Sequence, residues 1–178
     1  AQIESFTACL PAHQGPYLEW CAGKGHLGRL VSLHRQAPIL SLELQGQLCD
    51  EGRLLAERDG ANMTFTCADA FAPESAVLIA PEHHAMALHA CGELHTHLLE
   101  RVAERSASGV TISPCCYHLI RTSHYRPLSA AAKASELMLS KADLKLPLQE
   151  TVTGGARIAR LREQEVVWRL GFDCLQRQ

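Results

Sequence analysis

The stretch Tyr17–Gly28, YLEWCAGKGHLG, constrains the fold of this chain more than any other. A short apolar run carries Glu19, then passes into a loop whose glycines, Gly23, Gly25 and Gly28, are spaced G-x-G-x-x-G ahead of a helix-length segment. Alone, that spacing is shared by many nucleotide-binding folds. Two later apolar runs sharpen it: PILSLE ends on Glu43 and MTFTCAD ends on Asp69. Strands tipped by acids or glycines along one edge describe a doubly wound α/β sheet with a ligand crevice at the C-terminal ends of its strands.

Hydrophobic periodicity predicts an opening helix over 2–10, strands over 17–21, 39–42, 63–67, 85–90 and 110–113, and helices over 26–36, 47–58 and 96–105. One helix-length segment between successive strands calls for right-handed crossovers and a Rossmann-like, mostly parallel sheet in order 3-2-1-4-5. Residues 77–80 read as an approach loop, because Pro81 interrupts the run. Past residue 120 the chain reads as mainly helical, over 129–139 and 156–170. The expected division is a cofactor-binding core over 1–120 and a helical extension over 121–178 packed on it. Either residues 144–153, LKLPLQETVT, supply a further strand, or the chain is part of a longer protein.

Composition narrows the setting. The 178 residues are 47% hydrophobic and 20% charged, as in ordinary globular chains. No apolar run approaches the roughly 20 residues of a membrane span, so no membrane partner is expected. Eight cysteines without a C-x-x-C pair fit a reducing, cytoplasmic setting better than a disulfide scaffold. The net charge of −2 is unevenly spread: residues 1–120 hold 7 Lys/Arg against 13 Asp/Glu, and residues 121–178 hold 10 against 6. A basic tail of this kind either packs on the acidic body or faces a polyanion such as RNA.

The loop also speaks to the cofactor. Glu19 lies four residues before Gly23, where a carboxylate would repel a pyrophosphate but accept a hydrogen bond from an ammonium group. S-adenosylmethionine carries such an ammonium and has no phosphate. Glu43 is placed for the two ribose hydroxyls and Asp69 for an adenine amino group. The expected cofactor contacts are Glu19, Cys21, Gly23, Lys24, Gly25, Glu43, Leu44, Asp69 and Ala70. The bland alternative is that the acids cap helices or face water. The pattern resembles motif I of class I S-adenosylmethionine-dependent methyltransferases, acid-x-Gly-x-Gly-x-Gly, with Cys21 where the first glycine often stands. That resemblance covers residues 15–120.

Two further strings, LHACGELHTH at 88–97 and SPCCYH at 113–118, begin at the tips of neighbouring strands. They resemble the methyltransferase subgroup that includes methyltransferase-like protein 25 and the glutathione S-transferase C-terminal domain-containing protein, and more distantly a tRNA 2′-O-methyltransferase family. Because strands four and five are neighbours in such a sheet, His89, Cys91, Cys115, Cys116 and His118 are expected to gather beside the methyl group of the cofactor, with His89, Cys91, Cys115 and His118 as the candidate catalytic residues. Several chemistries fit these residue types. An imidazole can position or deprotonate the acceptor; a thiolate can attack a pyrimidine ring; Cys and His can hold zinc; or the residues simply pack. Metal is not expected, because adjacent Cys115 and Cys116 do not easily face one ion. His95 and His97 are expected to be exposed. The Asx-Pro-Pro-aromatic string of many N-methyltransferases is absent after the fourth strand. The expected activity is methyl transfer to RNA, with a protein acceptor or a non-catalytic scaffold as rivals and the oligomeric state open.

Overall fold

The computed structural model describes residues 1–148 and 155–177. Five strands form one parallel sheet in order β3-β2-β1-β4-β5: β1 Tyr17–Trp20, β2 Ile39–Glu43, β3 Met63–Cys67, β4 His84–Leu88 and β5 Gly109–Ser113. Helices α1 (Gln2–Cys9), α2 (His26–Arg35), α3 (Gly46–Asp59) and α4 (Glu93–Arg105) alternate with them. The Rossmann-like order expected from the run of strands and helices is the one observed.

All four residues of β1 are buried, since this central strand is covered on both faces. Its side chains alternate between two cores. Leu18 and Trp20 pack with Leu42, Ala85, Ala87 and Leu98 on the α4 face. Tyr17 packs with Ile39, Met86, Val31 and Leu27 on the face covered by α1 and α2. Glu19, also on the second face, is a carboxylate buried to 3% exposure.

Several boundaries differ from the expectation. The fourth strand stops at Leu88 rather than residue 90, because His89 turns into the left-handed region at φ 68°. Gly92 follows at φ 60°, ψ −130°, a conformation that suits glycine alone, and α4 therefore starts at Glu93 instead of Thr96. The helix expected over 129–139 shrinks to α5, Ala130–Lys133, capped by the Ser129 hydroxyl. Beyond it the Ser135 hydroxyl takes the Leu137 N–H at 3.1 Å, a local bond that competes with the helix ladder. Asp143–Leu148 forms a 3-10 turn, so the strand expected from 144 onward does not begin there, and 149–153 lie outside the described residues. Helix α6, Ala156–Gln176, buries none of its residues.

Helix α2 sits unusually close to the sheet at Gly28. A methyl group there would press on the Glu19 carboxylate, with Met63 Cε at 2.8 Å and Ile39 Cγ2 at 3.1 Å. Gly28→Ala should therefore cost about 1–3 kcal/mol through overpacking, read from urea denaturation midpoints. A neutral result would mean that α2 is not seated this tightly.

Candidate active site

The C-terminal edge of the sheet carries the site. The loop after β1 is wound left-handed at three positions, Cys21 (φ 57°), Gly23 (φ 57°) and Gly25 (φ 67°). Cys21 adopts the conformation at a cost of about 1 kcal/mol, so the non-glycine residue in the motif leaves the loop intact. Gly23 has open space where a side chain would stand, whereas a Cβ on Gly25 would strike Phe65 Cζ at 2.5 Å. The two glycines thus serve different ends, one beside the crevice and one beneath it.

Glu43, at the tip of β2, organises the loop. Its Oε2 accepts the Gly23 N–H at 2.8 Å and its Oε1 accepts the Gln45 N–H at 3.0 Å. Each oxygen keeps a second lone pair for a ligand hydroxyl. Asp69 Oδ1 accepts the Phe71 N–H at 2.9 Å, which folds the turn after β3. Between the two acids lies a cavity of about 300 Å³, lined among others by Cys21, Leu44, Asp69, Ala70 and Phe71. A second hollow of about 140 Å³ opens where β1 and β4 part, lined by Glu19, Trp20, Cys21, Leu88 and His89. That is the point where strand order reverses, the usual ligand position in such sheets. Cys21 borders both spaces. Burial, reinforced by Glu43, pushes its thiol up to about 12, so it stays protonated.

Two expected contacts are engaged elsewhere. The Lys24 ammonium pairs with Glu51 of α3 at 2.5 Å. Glu19 accepts the Gly28 N–H at 3.0 Å and the Ser41 hydroxyl at 2.8 Å. Its carboxylate thus holds the first turn of α2, and only its edge borders the smaller hollow. For Glu19 the helix-holding alternative, weighed beside the ligand role in the sequence, matches the bond to Gly28. The proximity of Gly28 nine residues on is the signal that was available.

On the other side of the edge, the loops after β4 and β5 bring Cys91, Cys115 and Cys116 together. Cys91 Sγ lies 3.2 Å from Cys115 Sγ, and Cys115 Sγ lies 3.5 Å from Cys116 Sγ. The expectation that the adjacent cysteines cannot face one point fails, because the loop turns both inward. Burial raises the Cys115 thiol, and its bond with Cys115 raises Cys116. His89 projects from the tip of β4, and its Nε2 meets Gln2 Oε1 at 3.1 Å. His118 keeps a buried Nδ1 with no partner among the described residues. His95, expected to be exposed, is 7% exposed and packs edge-on against Tyr117; burial holds its ring below the ordinary imidazole range. His97 is half-buried beside Phe71.

A family profile described as a methyltransferase domain matches residues 2–123. No curated protein matches the chain significantly. Among solved structures, the chain is similar to the precorrin-6y C5,15-methyltransferase of Geobacter metallireducens GS-15, at 20% identity and a TM-score of 0.52, over 62% of this chain and 59% of that one. It is similar to the B. subtilis M1A22 tRNA methyltransferase at 13% identity and a TM-score of 0.52, over 64% of this chain and 49% of that one. An uncharacterized protein from Listeria monocytogenes serotype 4b aligns over 99% of this chain and 87% of its own, at 10% identity and a TM-score of 0.57. At these identities the likeness is one of fold. The chain spans little more than half the length of the first of these neighbours and about half of the second.

Glu19 gives the edge a pH signature. Burial pushes its carboxyl up to about 7, against the lowering effect of Ser41, Gly28 and Arg29. The folded protein therefore holds a proton that the unfolded chain releases above about 4.5. Stability from this group is present in full below that value and lost as pH rises through about 7. Glu19→Gln keeps an acceptor for Gly28 and removes the titration. The melting temperature of the wild type should fall relative to the variant by several degrees between pH 5 and pH 8, by differential scanning fluorimetry. Parallel curves would show that Glu19 is already ionised at the lower pH.

Proposed function

The chain belongs to the methyltransferase domain family, and on that premise we propose that it binds S-adenosylmethionine along the β1–β3 tips and transfers the methyl group to RNA. The cavity between Glu43 and Asp69 carries the cofactor half of this reading. In it, Glu43 takes the ribose hydroxyls on its spare lone pairs, and Asp69 takes the adenine amino group in the pocket closed by Leu44, Ala70 and Phe71. Gly23 and Gly25 shape the loop over the methionine portion, and Cys21 contributes apolar surface. Lys24 acts through its backbone alone. An ammonium in the smaller hollow would favour the charged form of Glu19.

Methyl transfer from a sulfonium is an in-line displacement, so positioning is the enzyme's main task. His89 is the proposed positioning or proton-accepting group on the acceptor side, since it borders the smaller hollow at the strand tip. His118 is a reserve candidate for the same duty. A covalent role for Cys91 or Cys115 is disfavoured, because their thiols face each other and burial keeps Cys115 protonated. We further place the chain in the subgroup of methyltransferase-like protein 25, with residues 1–120 as the cofactor core and 121–178 as the acceptor-facing extension, acting in the cytoplasm.

The cofactor reading predicts that S-adenosylhomocysteine near 100 times its Kd stabilises the protein by about 2.7 kcal/mol, roughly 5–10 °C in melting temperature. NAD should leave it unchanged. In Glu43→Gln most of that shift should vanish relative to the variant's own unliganded melt. A comparable shift with NAD would remove the methyltransferase assignment of this cavity.

The RNA reading rests on the charge of the extension. Arg162 pairs with Glu165 at 2.9 Å, and Arg169 meets the same carboxylate at 2.7 Å. Arg157 and Arg160 make no ion pair among the described residues and lie one helical turn apart, on a shared face. Replacing both with glutamate should weaken filter binding of a mixed tRNA pool about tenfold or more. It should also shallow the dependence of log K on log salt by roughly 1–2, with the melting temperature unchanged. Unaltered affinity with a lowered melting temperature would make α6 a structural element and leave RNA without support from this chain.

A further inference from the structure

The three thiols at the tips of β4 and β5 have no part in the cofactor reading. Strand register explains how they meet. Leu88 pairs with Ser113 at the last rung of the β4–β5 ladder, and Cys91 and Cys116 each lie three residues past that rung. The loops are then stitched together, the Gly92 N–H donating to the Cys116 carbonyl at 2.9 Å. A side chain at Gly92 would overlap the Leu119 carbonyl, so the approach admits only glycine. The convergence is built into the backbone.

Simple apolar packing does not account for the group. Cys49, fully buried, belongs to a hydrophobic cluster with Ala56 and Phe65, and Cys21 packs against another. Cys91, Cys115 and Cys116 are half-buried and belong to none of the hydrophobic clusters among the described residues. Their sulfur atoms all lie within 4.8 Å of one another. With zinc–sulfur bonds of about 2.3 Å, thiolates on one tetrahedral ion stand roughly 3.8 Å apart. Spacings of 3.2 and 3.5 Å in the group reach that arrangement by small side-chain rotations.

We propose that Cys91, Cys115 and Cys116 form a three-thiolate site for a thiophilic d10 cation, zinc(II) or copper(I), that clamps the β4 and β5 loops. Binding forms three sulfur–metal bonds and releases three thiol protons, so affinity rises with pH. Copper(I) is satisfied by three thiolates, whereas tetrahedral zinc needs a fourth ligand. Among the described residues no fourth side chain joins the three sulfurs, so a zinc ion there would take its fourth ligand from solvent. No carboxylate joins the cluster among the described residues, in keeping with a soft ion rather than calcium or magnesium.

The reduced, metal-stripped protein is titrated with zinc(II), and separately with copper(I) held in a weak chelator, and the bound metal is counted after desalting. One equivalent should bind, and it should be lost in both Cys91→Ser and Cys115→Ser but kept in Cys67→Ser, an exposed cysteine outside the cluster. Cobalt(II) should give the near-ultraviolet thiolate-to-metal charge-transfer band. A wild-type readout needs no variant to fold. Bound metal should protect Cys91, Cys115 and Cys116 from iodoacetamide, by peptide mass spectrometry, while exposed Cys9 and Cys174 react. Preference between the ions identifies which d10 metal the site takes. The proposal falls if less than a tenth of an equivalent binds, if the folded serine variants still bind, or if the three cysteines are alkylated equally with and without metal.

Discussion

One buried carboxylate ties the functional edge of this protein to its core. Glu19 leaves the central strand on the side covered by α2, where an apolar residue would be the ordinary choice. It receives the Gly28 N–H and the Ser41 hydroxyl instead. The two bonds join β1, β2 and the first turn of α2, and the absence of a side chain at Gly28 brings the helix close enough to make them. The β1–α2 loop is thereby suspended between two fixed ends. Its left-handed turns at Cys21, Gly23 and Gly25 follow from having to span that short gap. A carboxyl placed there is costly to ionise, which is why its pKa moves toward neutrality rather than downward as in an exposed ion pair.

A second carboxylate finishes what the first begins. Glu43 reaches from β2 to the Gly23 N–H across the open side of the loop and to the Gln45 N–H at the start of α3. The same side chain therefore shapes the loop and borders the cavity, so ligand and loop geometry are coupled through it. Exchange of Gly23 would disturb this arrangement through backbone conformation, since a Cβ there meets nothing within 4 Å. Exchange of Gly25 would disturb it through packing against Phe65. The spacing of the glycines in the sequence records both demands without distinguishing them.

Much of this was legible in the sequence. The strands of the sheet are short apolar runs separated by helix-length segments, and handedness leaves few ways to arrange them, so the order β3-β2-β1-β4-β5 could be read directly. The acids Glu43 and Asp69 were legible because they close apolar runs, a position that puts them at strand tips. What escaped depends on contacts made in three dimensions. Whether Glu19 faces a ligand or Gly28 is decided by how deeply α2 settles. His95 looks like a surface residue in a charged string, yet the early start of α4 at Glu93 rotates it inward against Tyr117. The helix expected near residue 135 fails because Ser135 bonds locally, and exposed Leu137 and Met138 have no core to pull them into register. The meeting of the thiols was legible from the adjacency of β4 and β5, but the inward turn of both Cys115 and Cys116 was not, since it depends on the backbone of the loop.

The reversal of strand order between β1 and β4 divides the edge into two chemical environments. On the β1–β3 side the tips carry Glu19, Glu43 and Asp69, hard oxygen acceptors suited to N–H and O–H donors. On the β4–β5 side the tips carry Cys91, Cys115 and Cys116, soft sulfur donors with no carboxylate among them. Cys21 sits between, its thiol held neutral by burial and by Glu43. The smaller hollow opens at this boundary, with Glu19 on one wall and His89 on the other. A cationic group bound there would be drawn to the acidic wall, and in the proposed reaction the acceptor approaches from the side of the histidine. Under the proposed transfer, rigidity of the β4–β5 side would help align the acceptor. Linking the β4 and β5 loops through their sulfurs, as proposed, would supply that rigidity.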